Sequence, residues 1–480
     1  MNGFIRHPRQ TLNCGGWIGS VNRFLRSPGY ILTLGAVTAI GNLLGLDLVT
    51  YTVFIAIGLW IALVGEDFLP LVPVVPLCYV APSVQNNPGR YPGSVFYPMN
   101  GGIYLAVLFL LFTASVVWRL ATDKELGGRK FFTGKRQLTS GMVLLAMTYL
   151  LSGICSVDYE DVVLRNLLFA LVQGLAIGAM YFFLTGGVCW NQVPRDYLGF
   201  TGLTVGLVVL TQLLQNYLSG RIFVDGSINR ELIATGWGMH NNVGGMLAMT
   251  MPFAFSLAAH RKHGWAYTVL ATVLMLGTVL SCSRGSMLVA GAGYGLCAVL
   301  LLGNRESRRT NFRVFLIMAG ALIVVIAVFF GKLLEIFKLF LSQLGNISQR
   351  DNLLYYGIQQ FLKEPMFGST FYPRGEYVPW DWSNLESFSS IFPPRWHNTL
   401  VQIAASCGVM GLTAYGIHRY QTVRLFLQRR SLGNTFIAVS IATLLLTSLL
   451  DCHFFNIGPV LLYSISLAFM EKTENQSPKA

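Results

Sequence analysis

The chain has 480 residues, of which 53% are hydrophobic and only 11% charged. A soluble domain needs more charge than this to cover its surface, so the composition excludes one. The formal net charge of +13 raises nucleic acid as a partner, but the basic residues sit in alternate loops between apolar runs, which is the pattern of a membrane protein.

Residues 1–29 carry Arg6, Arg9, Arg23 and Arg26 without a clean apolar core, so no cleavable leader is expected there. Beyond them, apolar runs of roughly 17 to 23 residues are long enough to cross a bilayer. They fall near 30–46, 48–65, 68–84, 101–120, 138–154, 166–186, 199–216, 243–260, 264–282, 286–303, 313–331, 399–417, 433–450 and 456–471. Backbone polar groups in lipid must be satisfied within the segment, which makes these runs helices. The first three are the least regular, since Pro70, Pro73 and Pro76 interrupt the third. The expected fold is an all-α polytopic bundle of about 12–14 spans. Its divisions are a cytoplasmic segment at 1–29, a bundle at 30–331, an extracytoplasmic loop at 332–397, further spans at 398–471 and a tail at 472–480.

Charge sets the orientation. Lys124, Arg129, Lys130, Lys135 and Arg136 fall on one side, with Arg261 and Lys262, then Arg305, Arg308 and Arg309, then Arg419, Arg424, Arg429 and Arg430. The intervening loops near 85–100, 155–164 and 451–455 are poor in Lys and Arg, so both termini are expected in the cytoplasm. The acidic run Asp158, Tyr159, Glu160, Asp161 reads as a solvated outer turn. The eight cysteines are scattered singly, without metal or disulfide spacing.

Two outer segments are long. Tyr217 to Asn242 contains Arg221, Asp225, Arg230, His240 and Asn242. The second, from Lys332 to His397, has helical apolar spacing at Leu333, Ile336, Phe337, Phe340 and Leu344. A further helical stretch runs from Leu353 to Leu362 and ends before Pro365, which predicts a helical external cap.

The polar residues next to apolar spans admit two readings each. Arg284, in SCSRGSM, either snorkels to headgroups or binds an anion among Ser281, Ser283, Gly285 and Ser286. Arg350, in QRDNLLYYG, either pairs with Asp351 or Glu364 or reaches a ligand. His397 either caps a helix or serves as a base near neutral pH. Trp380, Trp382, Trp396, Tyr372 and Tyr377 suit sugar stacking and a membrane interface equally. There is no Walker A pattern, dinucleotide fingerprint or zinc-type cluster.

The segment HNTLVQIAASCGVMG, with His397, Asn398, Gly408 and Gly411, resembles the motif of bacterial O-antigen ligases and related polysaccharide polymerases. Arg350 with Leu354, Ser283 to Gly285, and GMHNNVGGMLAMTMP resemble further segments of that family, mainly within residues 200–450. The resemblance implies a GT-C-like fold. It also implies a glycosyltransferase that needs neither metal nor other cofactor and moves a glycan from undecaprenyl pyrophosphate to an acceptor hydroxyl. The partners it implies are that lipid-linked donor, a glycan or glycolipid acceptor and the lipids of the bacterial inner membrane.

On this reading Arg284 and Arg350 stabilise the pyrophosphate, with Arg221 and Arg230 as further candidates, and His397 accepts the acceptor's proton. Asn398, His240, Asn242 and Ser283 are expected to line the substrate site. Ligase and polymerase differ only in acceptor. A lipid-linked oligosaccharide flippase is disfavoured by spans nearly free of mid-span charge and by the absence of an internal repeat. A noncatalytic envelope partner is the third reading.

Overall fold

The computed structural model describes residues 16–83, 101–123, 136–157, 159–225, 227–305, 308–328, 330–331, 334, 348–373 and 395–472. Trp380, Trp382, Tyr377 and the predicted cap stretch from Ile336 to Leu344 lie outside the described residues. Among the described residues the fold is an all-α bundle of sixteen α-helices with one small hairpin. In chain order these are α1 (Trp17–Leu25), α2 (Pro28–Leu44), α3 (Asp47–Leu63), α4 (Leu71–Val80), α5 (Gly102–Thr122) and α6 (Thr139–Leu150). There follow α7 (Tyr159–Gly187), α8 (Tyr197–Leu218), α9 (His240–His260), α10 (Gly264–Leu280) and α11 (Arg284–Gly303). The last five are α12 (Arg308–Val328), α13 (Ser348–Lys363), α14 (Thr399–Gln428), α15 (Leu432–Leu450) and α16 (Ile457–Lys472).

Each of the fourteen predicted apolar runs coincides with a helix. Among the described residues, seven helices are long and apolar enough to cross a membrane unaided. The pair α1–α2, bent by 75°, makes an eighth if counted as one span. The protein is therefore a multi-pass membrane protein. The third predicted span is shorter than expected: α4 has ten residues, about 15 Å at 1.5 Å per residue and half of a hydrocarbon core. Its prolines limit it, and Asn42 satisfies the chain just beyond its end by donating to the carbonyls of Ala81 and Pro82.

Position in the bundle follows burial. Only 11% of the apolar window of α5 is covered by protein, so it lies at the rim, whereas 83% of α8 and 89% of α9 are covered, which makes them the centre. α9 packs against α8, α10, α11 and α15. Its small residues allow this: a Cβ on Gly245 would stand 2.8 Å from the ring of His453, and one on Gly244 would stand 2.6 Å from Ser281 Oγ.

The helix α14 carries the motif glycines, and Gly408 breaks it, with φ 64° and ψ −157°. No α-helix tolerates that backbone, and only glycine adopts it readily. At Gly408 the structure has a gap in the helix, filled by another backbone. Val409 N–H donates to Pro365 O at 2.8 Å, Met410 N–H to Met366 O at 3.3 Å, and Ser369 N–H to Ala405 O at 2.8 Å. Groups freed by the break thus find partners in protein rather than lipid. The inserted segment follows α13, which ends before Pro365 as predicted. It is anchored by Phe371, whose ring lies 4.8 Å from Phe169, 5.5 Å from Tyr149 and 5.7 Å from Phe455.

Candidate active site

Three helices, α9, α11 and α14, begin around the end of α15, and that convergence collects the polar residues. The run Leu449–Leu450–Asp451 links two of the starts. Asn398 Nδ2 donates to Leu449 O at 3.0 Å. A Cβ on Gly285 would lie 3.0 Å from Leu450 Cδ1, so the first turn of α11, with Arg284, rests on Leu450. His397 Nδ1 lies 3.2 Å from Asp451 Oδ1. Three consecutive residues therefore hold Asn398, the Arg284 turn and His397.

Both site loops enter their helices through a left-handed residue. His397 has φ 54° and Cys282 has φ 55°, a conformation that costs a non-glycine residue roughly 1–2 kcal/mol. After His397 the chain turns extended at Asn398, whose Oδ1 caps α14 by accepting from Leu400 N–H at 2.9 Å and Val401 N–H at 3.2 Å. The side chain of Asn398 is thus engaged on both ends in fixing the histidine loop. Ser283 Oγ lies 2.9 Å from both Asn241 Oδ1 and Ser286 Oγ, which ties the start of α11 to that of α9. Asn242 accepts from Asn456 Nδ2 at 2.8 Å, and Arg395 donates to Asn456 Oδ1. His240, the first residue of α9, is buried.

Asp451 is the residue that sequence reading missed, together with Arg395, His453 and Asn456. Burial works against its charge, but the contact from His397 and the charges of His453 and Arg395 outweigh it, and its pKa is held well below the usual carboxylate range. The carboxylate also accepts from Cys452 N–H at 2.7 Å. Asp451 is therefore a fixed anion facing the imidazole. The signal for it was an acidic residue closing an apolar span, LLDCHFF.

The remaining predicted residues are spread further. Arg230 is paired with Glu231 at 3.2 Å in the outer segment, and its charge is felt by Cys282, next to the Arg284 loop. Arg221 is exposed at the root of the hairpin formed by β1 (Phe223–Val224) and β2 (Ser227–Ile228). Arg350 sits in the first turn of α13. Gly357 lies seven residues further along the same helix. Gly357 is where α13 meets the histidine loop, since a Cβ there would lie 2.4 Å from Val401 and 3.2 Å from the Trp396 ring.

Fold and geometry together define a multi-pass helical membrane protein with a histidine–aspartate pair and an arginine gathered where helices begin. Residues 266–416 match the model of the O-antigen ligase family, which supports placement in the O-antigen ligase superfamily and an O-antigen ligase-like membrane glycosyltransferase activity. The match spans Ser283, Arg284, Arg350, His397, Asn398, Gly408 and Gly411, and leaves Arg221, Arg230, His240, Asn242 and Asp451 outside it. No curated protein matches the chain.

Proposed function

We propose that this protein is an inverting, metal-independent glycosyltransferase of the bacterial cytoplasmic membrane. It moves a glycan from undecaprenyl pyrophosphate to an acceptor hydroxyl at the outer face, in the manner of an O-antigen ligase. The observation that carries this reading is the His397 Nδ1 contact with the ionised Asp451 beside the Arg284 turn. With Asp451 holding a proton on Nδ1, the lone pair of His397 is on Nε2, ready to accept a proton.

In the proposed step the acceptor oxygen attacks the anomeric carbon and gives its proton to His397 Nε2. The bond from that carbon to the pyrophosphate oxygen breaks, and the leaving group departs with the electron pair. Arg284 stabilises the growing negative charge, joined by Arg350 from the cap. The starts of α9 and α11 support an anion as well, since neither Met239 nor Ser283 caps its helix with a side-chain hydrogen bond. In this orientation the site faces the periplasm and both termini are cytoplasmic, in keeping with the distribution of Lys and Arg. Asn398 serves to position the histidine, while His240, Asn242 and Ser283 shape the floor of the site.

The test is transfer by purified protein in proteoliposomes with a carrier-linked glycan and EDTA, scoring which acceptor gains sugar. Transfer to lipid A-core is expected. Chain growth on the carrier would assign a polymerase, and donor movement across the bilayer without transfer would overturn the enzyme reading.

A further inference from the structure

The charge count places Arg419 in a cytoplasmic loop with Arg424, Arg429 and Arg430. The structure corrects this, because α14 continues to Gln428 and Arg419 is packed inside the bundle. Its guanidinium carbon lies 4.5 Å from the ring centroids of Tyr415 and Phe454 and 5.0 Å from that of Tyr463. Nη1 donates to Tyr463 Oη at 2.9 Å, and the same oxygen lies 2.8 Å from His418 Nε2. Nε and Nη2 are buried without a hydrogen-bond partner among the described residues. Among the described residues, ring faces and not a carboxylate surround this cation.

Such a cation is costly in a bundle unless it does something that an apolar residue cannot. Phe454 is the middle residue of the 3-10 turn His453–Phe455, three residues after Asp451. That turn is closed by His453 N–H donating to Asp451 O at 3.0 Å and Phe455 N–H donating to Cys452 O at 2.9 Å. Gln173 Nε2 donates to Phe454 O at 2.9 Å. Arg419 and Gln173 therefore both engage the turn, one at the ring and one at the carbonyl of Phe454.

We infer that Arg419 is a positioning residue: boxed by Tyr415, Phe454 and Tyr463, its guanidinium fixes the turn that presents Asp451 to His397. The inference rests on the reading of His397 and Asp451 as base and orienting carboxylate. Displacing a reacting group by about 1 Å costs on the order of a hundredfold in rate, and Arg419 acts one step removed, so a smaller loss is expected.

The test uses full-length protein in proteoliposomes with a carrier-linked glycan. Arg419→Lys keeps the charge and loses the planar stack, whereas Phe454→Leu keeps the arginine and removes one ring. Each is expected to lower kcat about tenfold, with donor KM changed by less than about twofold. Arg419→Lys combined with Asp451→Asn is expected to be no slower than Asp451→Asn alone, because both act through one group. A merely structural arginine would give losses that multiply.

Unchanged kcat in Arg419→Lys, a change confined to donor KM, or full multiplication with Asp451→Asn would overturn the inference. If Arg419→Lys does not fold, Phe454→Leu with and without Asp451→Asn decides by the same criteria. Failure of wild-type transfer, or an Asp451→Asn variant as fast as wild type, would instead bring down the underlying reading of the site.

Discussion

Asp451→Asn isolates the charge opposite the histidine. The carboxamide keeps the size of the carboxylate, and its oxygen still accepts from Cys452 N–H, so the turn is retained. At 3.2 Å, unit charges attract by about 5 kcal/mol at an effective dielectric of 20. That value applies only when the histidine is protonated, as it becomes in the proposed transfer step. The His397 side chain is 38% exposed, so solvent screens much of it, and roughly 1.5–3 kcal/mol is a realistic loss for removing the charge of this ion pair. At 1.36 kcal/mol per tenfold, kcat should fall about 10- to 150-fold. Donor KM should hold, because in the proposed mechanism the charge on His397 develops only in the transition state.

The same variant carries a stability signature. The folded-state pKa of Asp451 is depressed, so its ionised form contributes stability above the unfolded carboxylate value of about 4, and that contribution is lost as pH falls below it. Wild-type protein should therefore lose more stability than Asp451→Asn on acidification below about pH 4. The assays are single-turnover transfer and thermal unfolding in detergent across pH. Wild-type kcat in a folded Asp451→Asn protein would refute the pairing as a catalytic device.

Gly408→Ala should cost stability out of proportion to its size, since the added Cβ would stand 2.4 Å from Met366 O and 2.5 Å from Pro365 O; we expect at least about 2 kcal/mol, read as a lowered unfolding temperature. Asn398→Ala should cost about 1–2 kcal/mol through loss of the cap. Asn398→Asp keeps the cap but loses the donor to Leu449 O, and unfolding curves of the two separate these parts. Arg284→Lys keeps the charge but not the forked geometry, and should raise donor KM about tenfold with the protein stably inserted, measured by transfer against donor concentration.

The helices were legible because lipid imposes a simple rule on sequence: twenty or so apolar residues and no unsatisfied backbone. Pro365 marked the end of α13 for the equally local reason that proline cannot continue a helix. The His397–Asp451 pair was not legible, since its partners are 54 positions apart and only the docking of α15 beside the histidine loop joins them. Gly408 was visible as a glycine, but spacing does not distinguish a glycine that lets helices touch from one that breaks a helix and admits another backbone. Arg419 was misplaced because charge at the end of an apolar run usually marks the membrane boundary. Here α14 is broken after nine residues, so its apolar run is not one straight span, and an interior arginine falls where a loop would be expected.

That break bears on why the polar groups gather at helix starts. A helix N-terminus leaves N–H groups that hydrocarbon cannot accept. A bundle hosting an anionic lipid headgroup benefits from leaving some of them to the ligand. α9 and α11 begin without a side-chain cap, and Arg284 is the first residue of α11. α14 differs in being capped by Asn398, which, under the proposed function, suits a helix that holds His397 rather than binds charge. The two kinds of start have different requirements: one favours an anion and the other favours rigidity. Leu449 and Leu450 bring them side by side, and on the proposed mechanism Asp451 stands where a base and an anion-binding turn must be held apart but close. Placing them on separate helices lets each be tuned alone, and the end of α15 fixes the distance between them.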